Sequence, residues 1–388
     1  MTDAPFDYLG IDDDLPEEAR RVRDTARDFL ADEVRGSVGD WYLEGQFPTH
    51  LIEPMGELGF YAPNLPYEGF PDLGEHAYGV LMRELEACDS GLRSFCSVQG
   101  ALVMYPIWRY GTEDQKERYL PGMRDGDLVG CFGLTEPEHG SEPSAMETSA
   151  TRDGDGWVLE GTKTWITNAP IADVALVWAK DGEDTVRGFL VDTDADGFAA
   201  SEIPDKLSLR VSSTGRIDLD GAFVPEEDVL DVEGMKGPLS CLNQARSGIA
   251  WGAVGAARDC FEEALAYSQE REQWGRPIGG FQMQQEKLAE MATQVSVAQL
   301  LARRLSTLKE RGDMRPQHVS MAKRHNVRTA RRVSRTAREI LGGNGITADY
   351  SPMRHMQNVE TVYTYEGTHD VHSLILGADL TGERAFQG

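Results

Sequence analysis

The chain has 388 residues, 40% of them hydrophobic and 8% aromatic, which exceeds one ordinary core and fits two or three packed layers or domains around a large pocket. Its 65 acidic and 38 basic residues leave a formal charge of −27, which repels nucleic acid and anionic membrane surfaces, so neither is an expected partner. No run approaches the roughly 18 to 20 apolar residues of a membrane span, and the opening MTDAPFDYLGIDDD has neither the basic nor the apolar region of a secretory leader. The expectation is a cytoplasmic protein.

Cys88, Cys96, Cys131, Cys241 and Cys260 are an odd number of cysteines without a CxxC pair. They are expected to be reduced, mostly buried thiols, with neither a disulfide framework nor a metal site. Lysine is scarce at 8 against 30 arginines, and acidic residues are spread along the whole chain. Such a surface suits high salt, where mutual repulsion is screened and carboxylates hold hydration; an ordinary acidic protein is the alternative.

In chain order, Ala19, Val22, Ala26, Phe29, Leu30 and Val34 recur at helical spacing, so an amphipathic helix is expected over Leu15 to Val34, with Asp14 as its N-cap and Pro16 in the first turn. Further helices are expected at about 49–59, 74–88, 94–110 and 113–124, which makes residues 1–127 an all-helical domain. Near Leu128 the texture changes to short runs rich in Val, Ile, Thr and Trp: LVGCFGLT, GWVLEG, TKTWIT, ADVALVWA, VRGFLVDT and STGRIDLDGAFV. Asp153 to Gly156 reads as a hairpin turn, and close strand spacing without intervening helices predicts an antiparallel β-barrel domain over 128–232. Helical periodicity returns near 238–271, 281–311 and 316–341, with a last helix after Thr368, and predicts a four-helix-bundle domain over 233–388. The expected fold class is α+β.

Arg303 to Arg338 holds twelve basic residues and only Glu310 and Asp313 as acids. In so acidic a chain these arginines are expected to pair with acidic helices of the same chain or of a second copy, rather than with nucleic acid. Gly248, Gly252 and Gly255 permit close helix approach.

P-loop, zincin, α/β-hydrolase and dinucleotide-fold motifs are all missing. Three segments remain. Gly133 to Pro137 with Gly140-Ser141 leaves the first strand run as a loop whose N–H and hydroxyl groups suit a polar ring or phosphate, with Trp165 to Thr167 nearby as aromatic wall or core. Leu341 to Gly345 is a helix C-cap whose glycines also admit a ligand. Glu366, in Tyr365-Glu366-Gly367-Thr368, stands among aromatic and apolar residues; a carboxylate desolvated there has a raised pKa and becomes a usable base.

With LRSFCSVQGALVMYPI, CFGLTEP, GTKTWIT, REQWGRPI, LGGNGI and TYEGTHDVHSLILG in this order, the chain resembles the acyl-CoA dehydrogenases, and among them most resembles glutaryl-CoA dehydrogenase. The resemblance covers nearly everything from about residue 15. Trp274 stands where relatives commonly carry Phe, and the His139 to Glu142 loop is more acidic than usual.

The resemblance implies a noncovalently bound FAD. It places Phe132, Leu134, Thr135, Gly140, Ser141, Trp165, Ile166 and Thr167 against the flavin from the β domain. Arg271, Trp274 and Gln282 match contacts on the diphosphate and adenine side, partly across a subunit boundary, and Glu339, Gly342, Gly343, Thr368 and Asp370 match the remaining ones. Glu366 matches the catalytic base, with its own N–H as an enolate donor. Arg93 and Ser94 match residues that hold a distal substrate carboxylate, and Glu86 and Tyr365 tune the field there. The implied reaction is oxidative decarboxylation of glutaryl-CoA to crotonyl-CoA and CO2, with electron transfer flavoprotein as acceptor. The alternatives are a glutaryl-CoA dehydrogenase that stops before decarboxylation, a short- or branched-chain acyl-CoA dehydrogenase, and a flavin- or CoA-binding protein without catalysis. The long C-terminal helices, with small-residue and arginine-rich faces, suit a homotetramer.

Overall fold

The computed structural model describes residues 7–385. Positions 1–6 and 386–388, which the expected outer domains include, and the first six residues of the segment read for a leader, lie outside the described residues.

Helix α1 (Glu17–Glu33) buries Ala19, Ala26 and Leu30 on one face. Its N-cap is Pro16, with no side-chain cap; Asp14, expected in that role, instead accepts from Arg303 Nη1 at 2.9 Å. A short α2 (Val38–Glu44), closed by Gly45 at φ 74°, was not anticipated. After α3 (Ile52–Glu57) and α4 (Gly74–Cys88), the helix expected at 94–110 begins earlier. Here α5 (Ser90–Ser97) is capped by Asp89, whose carboxylate accepts from Gly91 N at 2.7 Å. It opens into wider π-type turns over Val98–Met104 and resumes as α6 (Tyr105–Tyr110). Such widened turns are frequent at functional sites. On that stretch Gln99 donates to Met123 O at 3.0 Å and Leu128 O at 2.7 Å, and accepts from Gly130 N at 2.7 Å. One buried amide thus ties α7 (Glu113–Asp125) and the helical layer to the first strand.

The strands are β1 (Gly130–Gly133), β2 (Ser149–Asp153), β3 (Gly156–Thr167), β4 (Val174–Lys180), β5 (Val186–Asp192), β6 (Phe198–Glu202), β7 (Thr214–Pro225) and β8 (Val229–Glu233), in the order β6-β7-β3-β2-β4-β5-β8 with β1 beside β4. They enclose their own core of Trp157, Leu159, Phe189, Ile217 and Val224. The expected antiparallel barrel needs correction. β1 runs parallel to β4, and β2 meets β4 in parallel at Ser149 and Lys180; among the described residues no ladder joins β6 to β8. The sheet is mixed because β1 enters from the helical layer alongside β4 instead of turning back in a hairpin. The runs GWVLEG and TKTWIT are one strand, β3, with a bulge between Lys163 and Ile166.

The remaining helices are α8 (Lys236–Glu270), α9 (Gln282–Glu310), α10 (Pro316–Ile340), α11 (Ser351–Thr364) and α12 (His369–Thr381), with a small hairpin, β9 (Glu272–Gln273) and β10 (Arg276–Pro277), after α8. Every residue of α8 from Ala245 to Phe261 is buried, because α4, α9 and α10 pack around it and fuse both helical layers into one core. A Cβ at Gly252 would overlap Glu86 Oε2, and one at Gly255 would overlap Arg83 O, so α8 backbone meets an α4 side chain at the first and α4 backbone at the second. Among the described residues the cysteines are free and buried, no cluster of metal-ligating side chains occurs, and no helix is long and apolar enough to cross a membrane.

Candidate active site

The link between α11 and α12 carries Glu366 at φ 52° and Gly367 at φ 89°. A left-handed conformation is costly for a residue with a Cβ and persists only where its surroundings over-determine it. Here three successive carbonyls are held. Lys323 Nζ on α10 donates to Tyr365 O at 2.5 Å and Gly367 O at 2.7 Å, and Arg246 Nε on α8 donates to Glu366 O at 2.7 Å. Thr368 then caps α12, its hydroxyl accepting from Val371 N at 3.2 Å. A Cβ at residue 367 would approach His372 Nε2 to 3.0 Å; His372 is pinned through Nδ1 to Ser320 Oγ at 3.0 Å, and burial beside Lys323 and Arg246 pushes its pKa down to about 2.

Among the described residues Glu366 Oε2 is buried without a hydrogen-bond partner. Burial raises the carboxyl above its ordinary range, against the opposing pull of Arg93, Lys323 and Arg246. That is the environment of a general base: costly to ionise, yet kept ionisable by nearby cations.

Next to it, Tyr365 OH accepts from Arg93 Nη2, and the Arg93 guanidinium lies 5.6 Å from the Tyr365 ring centroid. Arg93 Nε meets Glu86 Oε2 at 2.6 Å, with both side chains 0% exposed, and Glu86 Oε1 accepts from Ser90 Oγ at 2.9 Å. The pair is therefore buried and shielded from solvent screening. Arg93 Nη1 is buried with no hydrogen-bond partner among the described residues. An unmatched guanidinium donor inside a protein is unfavourable and fits an anionic ligand. Ser94 is buried mid-helix, the cap being Asp89, and no hydrogen bond joins it to Arg93 among the described residues.

The expected flavin-facing segments meet at the exit of β1. Thr164 N donates to Thr135 O at 2.9 Å, and the β3 bulge throws Trp165 out at φ 60° and 61% exposure. Thr135 and Thr167 are half-buried, and Gly140 and Ser141 lie exposed on the following loop. Phe132 packs edge-on against Trp178 and Ile166 sits in the β core, so Ile166 offers a ligand its backbone only. Two residues here were not singled out from the sequence. Glu136 accepts from Glu147 N at 2.6 Å, Thr148 N at 2.9 Å, Thr148 Oγ1 at 2.5 Å and buried Lys163 Nζ at 2.8 Å, which straps the loop onto β3. The signal available was a lysine inside the strand run GTKTWIT.

Arg271, Trp274, Gln282, Glu339, Gly342 and Gly343 form a second, exposed group. Trp274 stands on the hairpin at φ 49° and 88% exposure, Glu339 meets Lys287 at 3.4 Å, and added Cβ atoms at Gly342 and Gly343 would meet open space. Asp370 is exposed in the first turn of α12. Among the described residues no hydrogen bond or ion pair joins this second group to Glu366 or to the sheet. Exposed indoles on strained backbone, half-buried hydroxyls and open glycines fit a ligand with an aromatic ring system and a diphosphate.

Helical layers fused into one core beside a mixed sheet, with a desolvated carboxylate on a turn held by cations, make an α+β fold with an environment suited to a general base. The chain belongs to the acyl-CoA dehydrogenase family, whose N-terminal, middle and C-terminal domain models match residues 16–127, 131–222 and 233–381. It is 33% identical over 374 residues to the mitochondrial short-chain specific acyl-CoA dehydrogenase of Bos taurus (95% of this chain, 91% of that protein). It is also 33% identical over 387 residues to the glutaryl-CoA dehydrogenase of Desulfococcus multivorans (96% and 99%). The crystal structure of a glutaryl-CoA dehydrogenase from Mycobacterium smegmatis in complex with FADH2 is 46% identical, with a TM-score of 0.95 over 98% of each chain.

Proposed function

We propose that the protein is an FAD-dependent glutaryl-CoA dehydrogenase that carries its substrate through to crotonyl-CoA and CO2. The observation that carries this reading is Arg93: fully buried, bonded to Glu86 and Tyr365, with Nη1 left unmatched one residue contact away from the Glu366 turn. A neutral acyl chain would leave that donor orphaned, whereas a distal carboxylate matches it with charge and bidentate geometry.

FAD, held by Thr135, Trp165, Thr167 and the exposed group from Arg271 to Gly343, would supply the two-electron acceptor for the β-hydride. Glu366 takes the α-proton of the thioester, and the N–H at its own position faces the developing enolate oxygen. Loss of α-proton and β-hydride gives the glutaconyl thioester. The bond to the Arg93-bound carboxylate then breaks, its electron pair passes into the conjugated thioester, CO2 leaves, and the proton on Glu366 returns to the γ-carbon. Glu86 and Tyr365 set the field at the departing group. Electron transfer flavoprotein is the acceptor we assign, and a homotetramer the assembly.

Arg93→Ala tests the reading with two substrates. The variant should lose far more kcat/KM with glutaryl-CoA than with butyryl-CoA, since only the former places charge against the guanidinium; equal losses would remove the glutaryl assignment. In that case the short-chain reading, which the similarity to the Bos taurus enzyme supports, would replace it.

A further inference from the structure

Lys323 is a buried lysine whose hydrogen bonds go to carbonyls alone. It lies on α10 at 2% exposure, and among the described residues it forms no ion pair with any carboxylate. Burying an ammonium without a contacting counter-charge is costly, so an apolar residue of the same length would be favoured here were packing the only demand. Both of its hydrogen bonds run to main-chain carbonyls, those of Tyr365 and Gly367. These are the residues immediately before and after Glu366. One nitrogen that gathers the carbonyls at both flanks fixes the backbone between them, and that backbone is the left-handed Glu366.

We propose that Lys323 is the positioning residue of the catalytic base: its ammonium clamps the turn in the left-handed form that presents the carboxylate, and its charge favours the ionised state of Glu366. The proposal rests on the reading of Glu366 as base. The groups facing the turn are Tyr78 and Glu86 from α4, Arg93 from α5, Arg246 from α8, Lys323 from α10 and His372 from α12, together with Tyr365. Arg246 holds the middle carbonyl and Arg93 is committed to Glu86 and Tyr365, so Lys323 alone grips both flanks. Its own proton affinity is pulled down by burial and by Arg246 and Arg93, and raised by Glu366. The charge on the pair is therefore mutually sustained. One helical turn earlier Ser320 holds His372, so α10 fixes the start of α12 as well as the turn before it.

Two variants separate clamp from charge. Lys323→Gln keeps N–H donors without charge, and Lys323→Met has neither. Anaerobic flavin reduction by saturating thioester is followed against pH, and the thioester Kd by spectral titration, with Glu366→Gln alongside. A misplaced base costs rate more than binding, so Lys323→Met should reduce flavin about 100-fold more slowly while Kd stays within about threefold. Removing a positive charge raises a carboxyl pKa, so in Lys323→Gln the acid limb of the rate profile should move to higher pH. An unchanged rate and acid limb in these variants, with Glu366→Gln inactive, would overturn the role of Lys323 and leave the base in place. Should Lys323→Met not fold, Lys323→Gln decides alone: an unmoved acid limb overturns the proposal. Should Glu366→Gln reduce flavin at the unmodified rate, the base assignment fails and the proposal with it.

Discussion

At Glu366 burial and three cations act in opposite directions, and burial prevails, so the carboxyl sits above its ordinary range. Only the carboxylate takes a proton; the rate of flavin reduction is therefore expected to fall as pH falls through that raised pKa, and to level off above it. Glu366→Gln should fold and keep its flavin but lose roughly 10² to 10⁴ or more of the reduction rate, the usual range for a deleted general base; near-normal anaerobic bleaching would place the base elsewhere. Glu366 was legible as a carboxylate beside a glycine among aromatic residues, and Arg93 only through the resemblance to glutaryl-CoA dehydrogenase. Lys323 and Arg246 were not, since they reach the turn from 42 and 120 residues away through main-chain carbonyls, contacts that leave no pattern in side-chain types.

The contact between α4 and α8 shows what a packing signal can carry. Gly252 reads from the sequence as room for a helix, yet the space is filled by Glu86, the partner of Arg93. Gly252→Ala should therefore lower stability by about 1–3 kcal/mol, as overpacking does, and also weaken discrimination for a dicarboxylic thioester; a urea midpoint and kcat/KM ratio both unchanged would contradict the contact. In the sheet, Lys163 and three N–H or O–H donors hold Glu136 at about 2, below its ordinary 4.5. A depressed carboxyl stabilises the fold above its unfolded pKa and loses that contribution as pH falls toward the folded one. The stability gap between the unmodified protein and Glu136→Gln should thus close between pH 4.5 and about 2, and a constant gap in urea titrations would refute the strap. Long apolar periodicities placed α4, α7, α8, α9 and α10 within a few residues of where they lie. Helix α11 escaped because its buried face is Pro352, His355, Asn358, Val359 and Val362, a helical spacing interrupted by a proline and two polar residues. β6 escaped because four of its five residues are exposed, so no alternation marks it.

For the molecule as a whole, −27 charges oppose compaction and association unless salt screens them. The C-terminal helices nevertheless expose Met283, Val297, Leu300, Met321 and Leu380, and the hairpin exposes Trp274. We expect these to be covered in a homotetramer, where the second group of cofactor residues would serve a neighbouring subunit's ligand. Light scattering at high salt should give four chains, with dissociation or lost stability on dialysis into dilute buffer; a monomer at high salt, or undiminished stability without it, would contradict this. The α+β class and the helix–strand–helix order followed from composition and periodicity, but the mixed character of the sheet did not, because the parallel pairing of β1 with β4 joins segments far apart in the chain and leaves no local pattern. One product analysis decides whether the complete reaction runs. Glutaryl-CoA is incubated with the purified flavoprotein and an electron acceptor, and thioesters and gas are quantified together. Crotonyl-CoA and CO2 are expected in equal amounts; accumulation of glutaconyl-CoA without CO2, or no flavin reduction by glutaryl-CoA at all, would overturn the proposed reaction.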